Sequence, residues 1–399
     1  MRDNSLTSPF ETVAARTIFA DAPADLCALR FRQRSSERGS IRICAVGDVG
    51  FHGRARGDGD ARGYARRFEE IAPLLHTAQI GLANLECVIT DAPADAGRFS
   101  GPPDAAPALA QSGFTLLHLA NNHIYDYGAP GCGSTIRAVE AAGMKVLGAG
   151  NTPEAARQML RTDAGGLRIG WLGCGRTLQA QAAAGPCFWE LDGDEFVAAV
   201  RRCRPEVDFL VASLHAGYEY IEVPSPEHKA LAERCVSEGA SLVLLHHAHV
   251  VQGVQVLNGK EIICYGLGNL LFDSSGGYVE IDLLREERFR GAVFVFDVDA
   301  RGICLAAAIP VRVGDDFAVH WDRGPQGVQA IEHLGRLSGL LEGDVAATFQ
   351  RQRAQRNVGP ALTVLWFHLR RGHWSIVAGL LRRVRWANLR MLLTWLRRK

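Results

Sequence analysis

Apolar and polar positions follow two rhythms along this chain. Ile41-Arg-Ile-Cys-Ala-Val46 alternates into an apolar strand that stops at Gly47-Asp48. Phe114 to Ala120 is a denser apolar run that ends abruptly in Asn121-Asn122-His123. The same pattern predicts further strands at 79–83, 145–148, 167–172, 208–213 and 241–245, separated by helical patterns at about 64–76, 104–112, 131–142, 152–160, 193–203 and 226–238. Such alternation is the signature of α/β layering with mostly parallel strands. Past residue 250 the period changes, and 251–256, 261–265, 278–282, 292–298 and 303–313 read as consecutive antiparallel strands. A parallel half followed by a β-rich half predicts two sheets packed face to face with helices outside. The first 40 residues carry a weak helical pattern near Thr12–Ala20 and end in a polar linker, and the chain from about 328 reads as helical. Three regions result: an N-terminal extension and linker over 1–40, a domain over 41–312, and a helical, basic C-terminal extension over 313–399.

Composition leaves this picture standing and adds charge asymmetry. Of 399 residues 47% are hydrophobic, enough for a sizeable core, and the formal net charge of +1 offers no argument for nucleic acid. Yet twelve of the 44 basic residues and none of the 43 acidic ones follow Asp344, so an acidic body carries a basic tail. In 361–399 apolar clusters and arginine pairs alternate, with tryptophans at 366, 374, 386 and 395. That mixture suits an interfacial helix on anionic lipid, or else a helical pair docked on the acidic body. Ten cysteines without C-x-x-C pairs predict buried thiols in a reducing compartment. No signal-peptide pattern opens the sequence, and no uncharged apolar segment reaches membrane-spanning length. The expected location is the cytoplasm, with peripheral contact at the inner face of the membrane.

The chemistry lies at the strand ends. Five strands finish in Asp48, in Asn84 and Glu86, in Asn121-Asn122-His123, in His215, and in His246-His247-Ala248-His249. In open α/β folds these ends build the site. Carboxylate, amide and imidazole together suit a borderline divalent metal such as manganese, iron or zinc. Asp48, Asn84, Glu86, Asn122, His215, His247 and His249 are enough ligands for two ions bridged by a carboxylate, an arrangement that activates water against a phosphoryl or acyl centre. His123 is then free to act as proton donor with Asp126 as its orienter, and Asn121 falls to a turn or supporting role. There is no G-x-S-x-G elbow, no P-loop lysine and no dinucleotide fingerprint.

Gly47-Asp48, Asn84-Leu-Glu86 with Thr90, Ala120-Asn-Asn-His-x-x-Asp126-x-Gly128, Leu214-His215-x-Gly217-x-Glu219-Tyr220, His246-His-x-His249 and Tyr265-x-Leu-Gly-Asn269 stand in an order that resembles the bacterial capsule-synthesis family CapA, also called the poly-γ-glutamate biosynthesis family PgsA. The resemblance covers about 41 to 312. It implies a four-layer α-β-β-α sandwich of calcineurin-like metallophosphatase type. Carried over, Asp48 stands for the first-strand metal aspartate, Glu86 or Asn84 for the bridging carboxylate, and Asn122 with His123 for the Asn-His pair. His215 stands for the lone histidine of the fourth block, and His247 with His249 for the last His-x-His. Glu219, Tyr220, His246 and Asn269 become candidate substrate-binding residues. Leu245, Ala248, Ala216 and Gly266 depart from the residues usual in the family. Two functions follow from the resemblance. One is a metal-dependent hydrolase of surface-polymer biosynthesis, acting on a small phosphorylated or glutamyl substrate. The other is a non-catalytic accessory protein that holds an anionic polymer or an assembly partner at the membrane face.

Overall fold

Successive side chains of the Ile41–Val49 strand are buried on opposite faces: Ile43 and Ala45 join one core, Cys44 and Val46 another. This is the two-residue period of a pleated strand, and burial on both faces is why the sequence reads there as an almost unbroken apolar run. The computed structural model describes residues 10–356 apart from 37–38, 58, 94–96, 178, 180, 182–183 and 274–289. One sheet has the strand order Glu11–Ala14, Cys27–Gln33, Gly302–Val313, Arg290–Asp299, Ile41–Val49, Ile80–Leu85, Leu116–His118, Lys145–Leu147, with the last four parallel. The other runs Leu160–Ala164, Leu167–Gly175, Phe209–His215, Leu242–His246, Glu261–Cys264, Val254–Leu257, with the middle four parallel.

Ile43, Leu82, Leu116 and Phe294 of the first sheet share a core with Trp171, Val211 and Leu244 of the second, so the sheets are stacked. Behind the first sheet, helices Ala105–Gln111 and Gly128–Ala141 bring Leu109, Ile136 and Val139 against Cys44, Ala83 and Leu117. Behind the second, helices Gly193–Cys203 and Pro226–Ser237 bring Phe196, Val200 and Cys235 against Leu210, Ala212 and Val243. The start of Gly193–Cys203 is set by Asp192, whose carboxylate accepts from the Asp194 and Glu195 amides at 3.0 and 2.9 Å. The result is the expected four-layer α-β-β-α sandwich.

Several expectations change. The stretch read as weakly helical near Thr12 is a strand, Glu11–Ala14, followed by a short 3-10 turn. Cys27–Gln33 pairs with Gly302–Val313, so part of the supposed N-terminal extension belongs to the first sheet. The helix expected over 64–76 is broken into Ala61–Arg66 and Ala72–Leu75, with Pro73 opening the second piece. The β-rich half is not a sheet of its own. Val254–Leu257 and Glu261–Cys264 extend the second sheet, while Arg290–Asp299 and Gly302–Val313 return to the first. A period identifies a strand but not its partner.

The strand expected at 278–282 and the tail over 361–399 lie outside the described residues. The C-terminal region is helical at Gly324–Leu340 and again over 345–356. All ten cysteines are free thiols, and nine are buried. Among the described residues no helix is long and apolar enough to cross a membrane.

Gly47 sits where two backbones touch. A Cβ there would meet the Gly268 carbonyl oxygen at 1.8 Å, and the next amide, Asp48 N, donates to that oxygen at 3.0 Å. Because a backbone carbonyl cannot rotate away, Gly47→Ala is expected to cost about 2 kcal/mol or more in an equilibrium denaturant titration. An unchanged midpoint would contradict the close approach that aims Asp48.

Candidate metal centre

Parallel register brings the predicted residues together. Asp48 is paired with Asn84, and Asn269 stands opposite Asp48 on its other side. In the second sheet His215 is paired with His246. The carboxyl ends of both sheets thus meet at one edge, as expected for an α/β site. After His246 the chain takes left-handed backbone angles at His247 (φ +86°) and His249 (φ +57°). For non-glycine residues such conformations cost about 1–3 kcal/mol each and persist where surrounding structure holds them. They end the strand at His246, and both histidines reach the cluster around Glu86.

Two groups result. Asp48, Glu86 and His249 place ligand atoms within 4.8 Å of one another, and so do Glu86, His215 and His247. Glu86 belongs to both, as a bridging carboxylate would. Its Oε1 is 3.4 Å from His215 Nε2 and 3.8 Å from His249 Nε2. His249 Nδ1 lies 3.1 Å from Asp48 Oδ2 and bonds Asn269 Oδ1 at 3.0 Å. Asn122 Oδ1 lies 2.7 Å from His215 Nε2, and His247 Nδ1 is 3.1 Å from the same nitrogen.

Burial and crowding set the charges. Burial, with Asp48 close by, pushes the Glu86 carboxyl well above the usual range. Burial raises Asp48 too, but His249, His246 and the Asn84 amide outweigh it and hold the group below its ordinary value. Burial lowers His249, yet Glu86 and Asp48 more than offset that and lift it to about 9. Burial takes His247 down to about 4 and, with His247 beside it, His215 well below the usual range. Neutral imidazoles are the form that ligates a metal.

The residues fit a divalent cation. Among the described residues Glu86 Oε1 is buried and accepts no hydrogen bond, and Asp48 Oδ2 faces the His249 ring at 3.1 Å without good hydrogen-bond geometry. Two crowded, buried carboxyls are costly, and a cation between them would remove that cost. A mixed nitrogen and oxygen donor set suits manganese, iron or zinc.

Other predicted residues take different places. Asn84 turns its Nδ2 toward Asp48 Oδ1 (2.8 Å), Glu86 Oε2 (3.3 Å) and His215 Nδ1 (3.1 Å). Its oxygen, the atom that would ligate, accepts from Asn121 at 3.2 Å, so here Asn84 organises the ligands. Asn121 also bonds the Leu85 carbonyl and accepts the His123 and Ile124 amides, the turn role expected of it. His123 Nδ1 is 2.9 Å from Asp126 Oδ2. Asp126 is itself held by the Phe99 amide (2.7 Å) and Gln179 Nε2 (2.8 Å).

Of the four candidate substrate residues, Glu219 is exposed and lines a cavity of about 550 Å³ together with Asn122, His123, His215 and His247. His246 is a correction: its ring is buried behind Asp48, 3.3 Å from Ser213 Oγ and absent from the cavity wall, so substrate cannot reach it. Asn269, also buried, contacts His249 rather than the cavity. Tyr220 is half-buried beneath Arg356, whose guanidinium carbon is 4.2 Å from the ring centroid.

Sequence reasoning missed His52 and Phe99. Phe99 stacks between the His52 and His123 rings, with centroids 3.7 and 3.9 Å away, and so braces the predicted proton donor. Neither lies at the end of a regular strand, and no spacing marked them.

The family described as bacterial capsule synthesis protein PGA_cap matches residues 42–274. The chain is 34% identical over 181 residues to the capsule biosynthesis protein CapA of Bacillus anthracis, covering 44% of each. It is 29% identical over 175 residues to the PGA biosynthesis protein CapA of Bacillus subtilis (strain 168), covering 43% of this chain and 46% of that one. The chain therefore spans less than half the length of these relatives. Among solved structures it is similar to the calcineurin-like phosphoesterase YfkN from Bacillus subtilis, with a TM-score of 0.38, 12% identity, and coverage of 79% of this chain and 99% of that one. With more than half of its length matched, the chain belongs to the bacterial capsule synthesis protein PGA_cap family.

Proposed function

We propose that the protein is a metal-dependent hydrolase of the phosphoesterase kind, acting in the biosynthesis of a bacterial capsule or poly-γ-glutamate-like surface polymer. The observation that carries the reading is Glu86, a buried carboxylate shared by two ligand groups, with an oxygen that accepts no hydrogen bond among the described residues. Asp48, Glu86 and His249 would hold one divalent ion; Glu86, His215 and His247 would hold a second, with Asn122 beside it. Such a pair supplies Lewis acidity toward a phosphoryl or acyl oxygen and a water nucleophile at neutral pH.

The chain's own residues do the rest. Asp126 takes the Nδ1 hydrogen of His123 and fixes the ring, which Phe99 holds from the side. Nε2 of His123 is left to carry the proton that a departing oxygen or nitrogen needs. The half-enclosed cavity beside it holds the substrate. The reading is tested by hydrolysis of a simple phosphodiester and of a γ-glutamyl amide with manganese-loaded and chelator-treated protein. Metal-dependent turnover of either supports it. Metal binding with no turnover of either would favour the accessory reading, in which the same cluster holds an anionic polymer.

The basic segment after Asp344 favours placing this work at a membrane face. Full-length protein is expected to co-sediment with phosphatidylglycerol vesicles and not with phosphatidylcholine vesicles, while a chain ending at Gly359 stays in the supernatant with both. Equal sedimentation of the two chains would remove the lipid role.

A further inference from the structure

The cavity beside the Glu86, His215 and His247 group has a second chemical pole. Asn122, His123, His215 and His247 line it, and beside His215 the chain leaving the Leu167–Gly175 strand contributes Arg176. Arg176 is the one lysine or arginine among the described residues that line this cavity. Its backbone is pinned. Gly175 is in register with His215, and the Arg176 amide donates to the His215 carbonyl at 3.1 Å. A Cβ on Gly175 would meet the Ala120 carbonyl oxygen at 1.8 Å, so the strand end is wedged between the two sheets and cannot drift.

The guanidinium, by contrast, is barely engaged. Its nearest charged partner is Glu227 Oε1 at 3.7 Å, beyond hydrogen-bond length, and both side chains are more than half exposed. An exposed pair at that distance is worth little, so a ligand displaces it at small cost. Arginine presents five donors in a planar fork that matches a carboxylate or a phosphate in bidentate fashion. A cavity of about 550 Å³ is also of the size that holds an organic ligand, larger than a lone inorganic anion requires.

We propose that Arg176 forms an anion subsite in the cavity beside the metal-ligand residues, so that the substrate carries a second carboxylate or phosphate besides the group that reacts. This rests on the metal-hydrolase reading above and deepens it. Arg176 selects the substrate, and the weak contact with Glu227 yields to the ligand.

The test is calorimetric titration of the manganese-loaded full chain with three non-hydrolysable probes: propylphosphonate, 3-phosphonopropionate and 1,3-propanediphosphonate. Each two-headed probe, or the one whose second head matches, is expected to bind the parent protein at least about tenfold more tightly than propylphosphonate, the range of a charge-assisted hydrogen-bonded pair. The tighter of the two tells carboxylate from phosphate. In Arg176→Ala that advantage disappears while propylphosphonate binds as before, and Arg176→Lys restores part of it. An advantage that survives in Arg176→Ala, or none in the parent while propylphosphonate binds, overturns the subsite alone. No binding of propylphosphonate by the loaded parent overturns the metal-site reading and the subsite with it.

Discussion

Glu86→Ala is expected to leave at most one divalent ion per chain after dialysis against micromolar manganese, with affinity for the remaining ion lowered at least about 100-fold. Altering a partner one step removed from a metal already costs about 10–100-fold, and Glu86 belongs to both ligand groups. The change removes one oxygen from each group and leaves Asp48 with His249, and His215 with His247, as incomplete pairs. Stability should move in the opposite direction. A buried carboxyl pushed up by burial and by Asp48 binds protons more readily in the folded chain than in the unfolded one. Its contribution therefore falls as pH rises above the unfolded carboxyl value, and at neutral pH it opposes folding. In chelator at pH 7 the conservative Glu86→Gln protein should be no less stable than its parent. Metal counts by plasma emission and melting curves in chelator check both halves; two ions retained in Glu86→Ala would remove the bridge.

His123→Ala should separate binding from turnover. His123 belongs to neither ligand group, so the metal count is expected to stay unchanged while kcat for a phosphodiester falls about 10²–10⁴-fold, the usual contribution of a positioned proton donor. Asp126→Asn should show a smaller loss of kcat together with a loss of stability of about 1–2 kcal/mol. Asp126 holds the Phe99 amide and the Gln179 side chain as well as His123. Steady-state kinetics with metal analysis on the same samples decides it: unchanged kcat in His123→Ala would take the proton-donor role away.

The layered α/β plan was legible because strands buried on both faces write long apolar runs, as in Ile41–Val49 and Phe209–His215. The candidate site was legible because those runs stop at Asp48, Glu86, His215 and His247. Pairing was not, since Cys27–Gln33 meets a strand that begins only at Gly302, and nothing local announces a partner so distant. Roles within a cluster were hidden for a similar reason. His246, His247 and His249 look interchangeable in sequence. In the fold His247 and His249 join the two groups around Glu86, with left-handed backbone angles at both, while His246 is buried behind Asp48. Arg176 escaped because the residue after the Leu167–Gly175 strand is not a metal-ligand type and was not read for another role.

The central claim is that two cations share Glu86. Diffraction from crystals soaked in manganese, recorded at the manganese edge, tests it directly. Two anomalous peaks are predicted, one among Asp48, Glu86 and His249 and the other among Glu86, His215 and His247. No peak at either group, or a single peak that does not touch Glu86, would contradict the account.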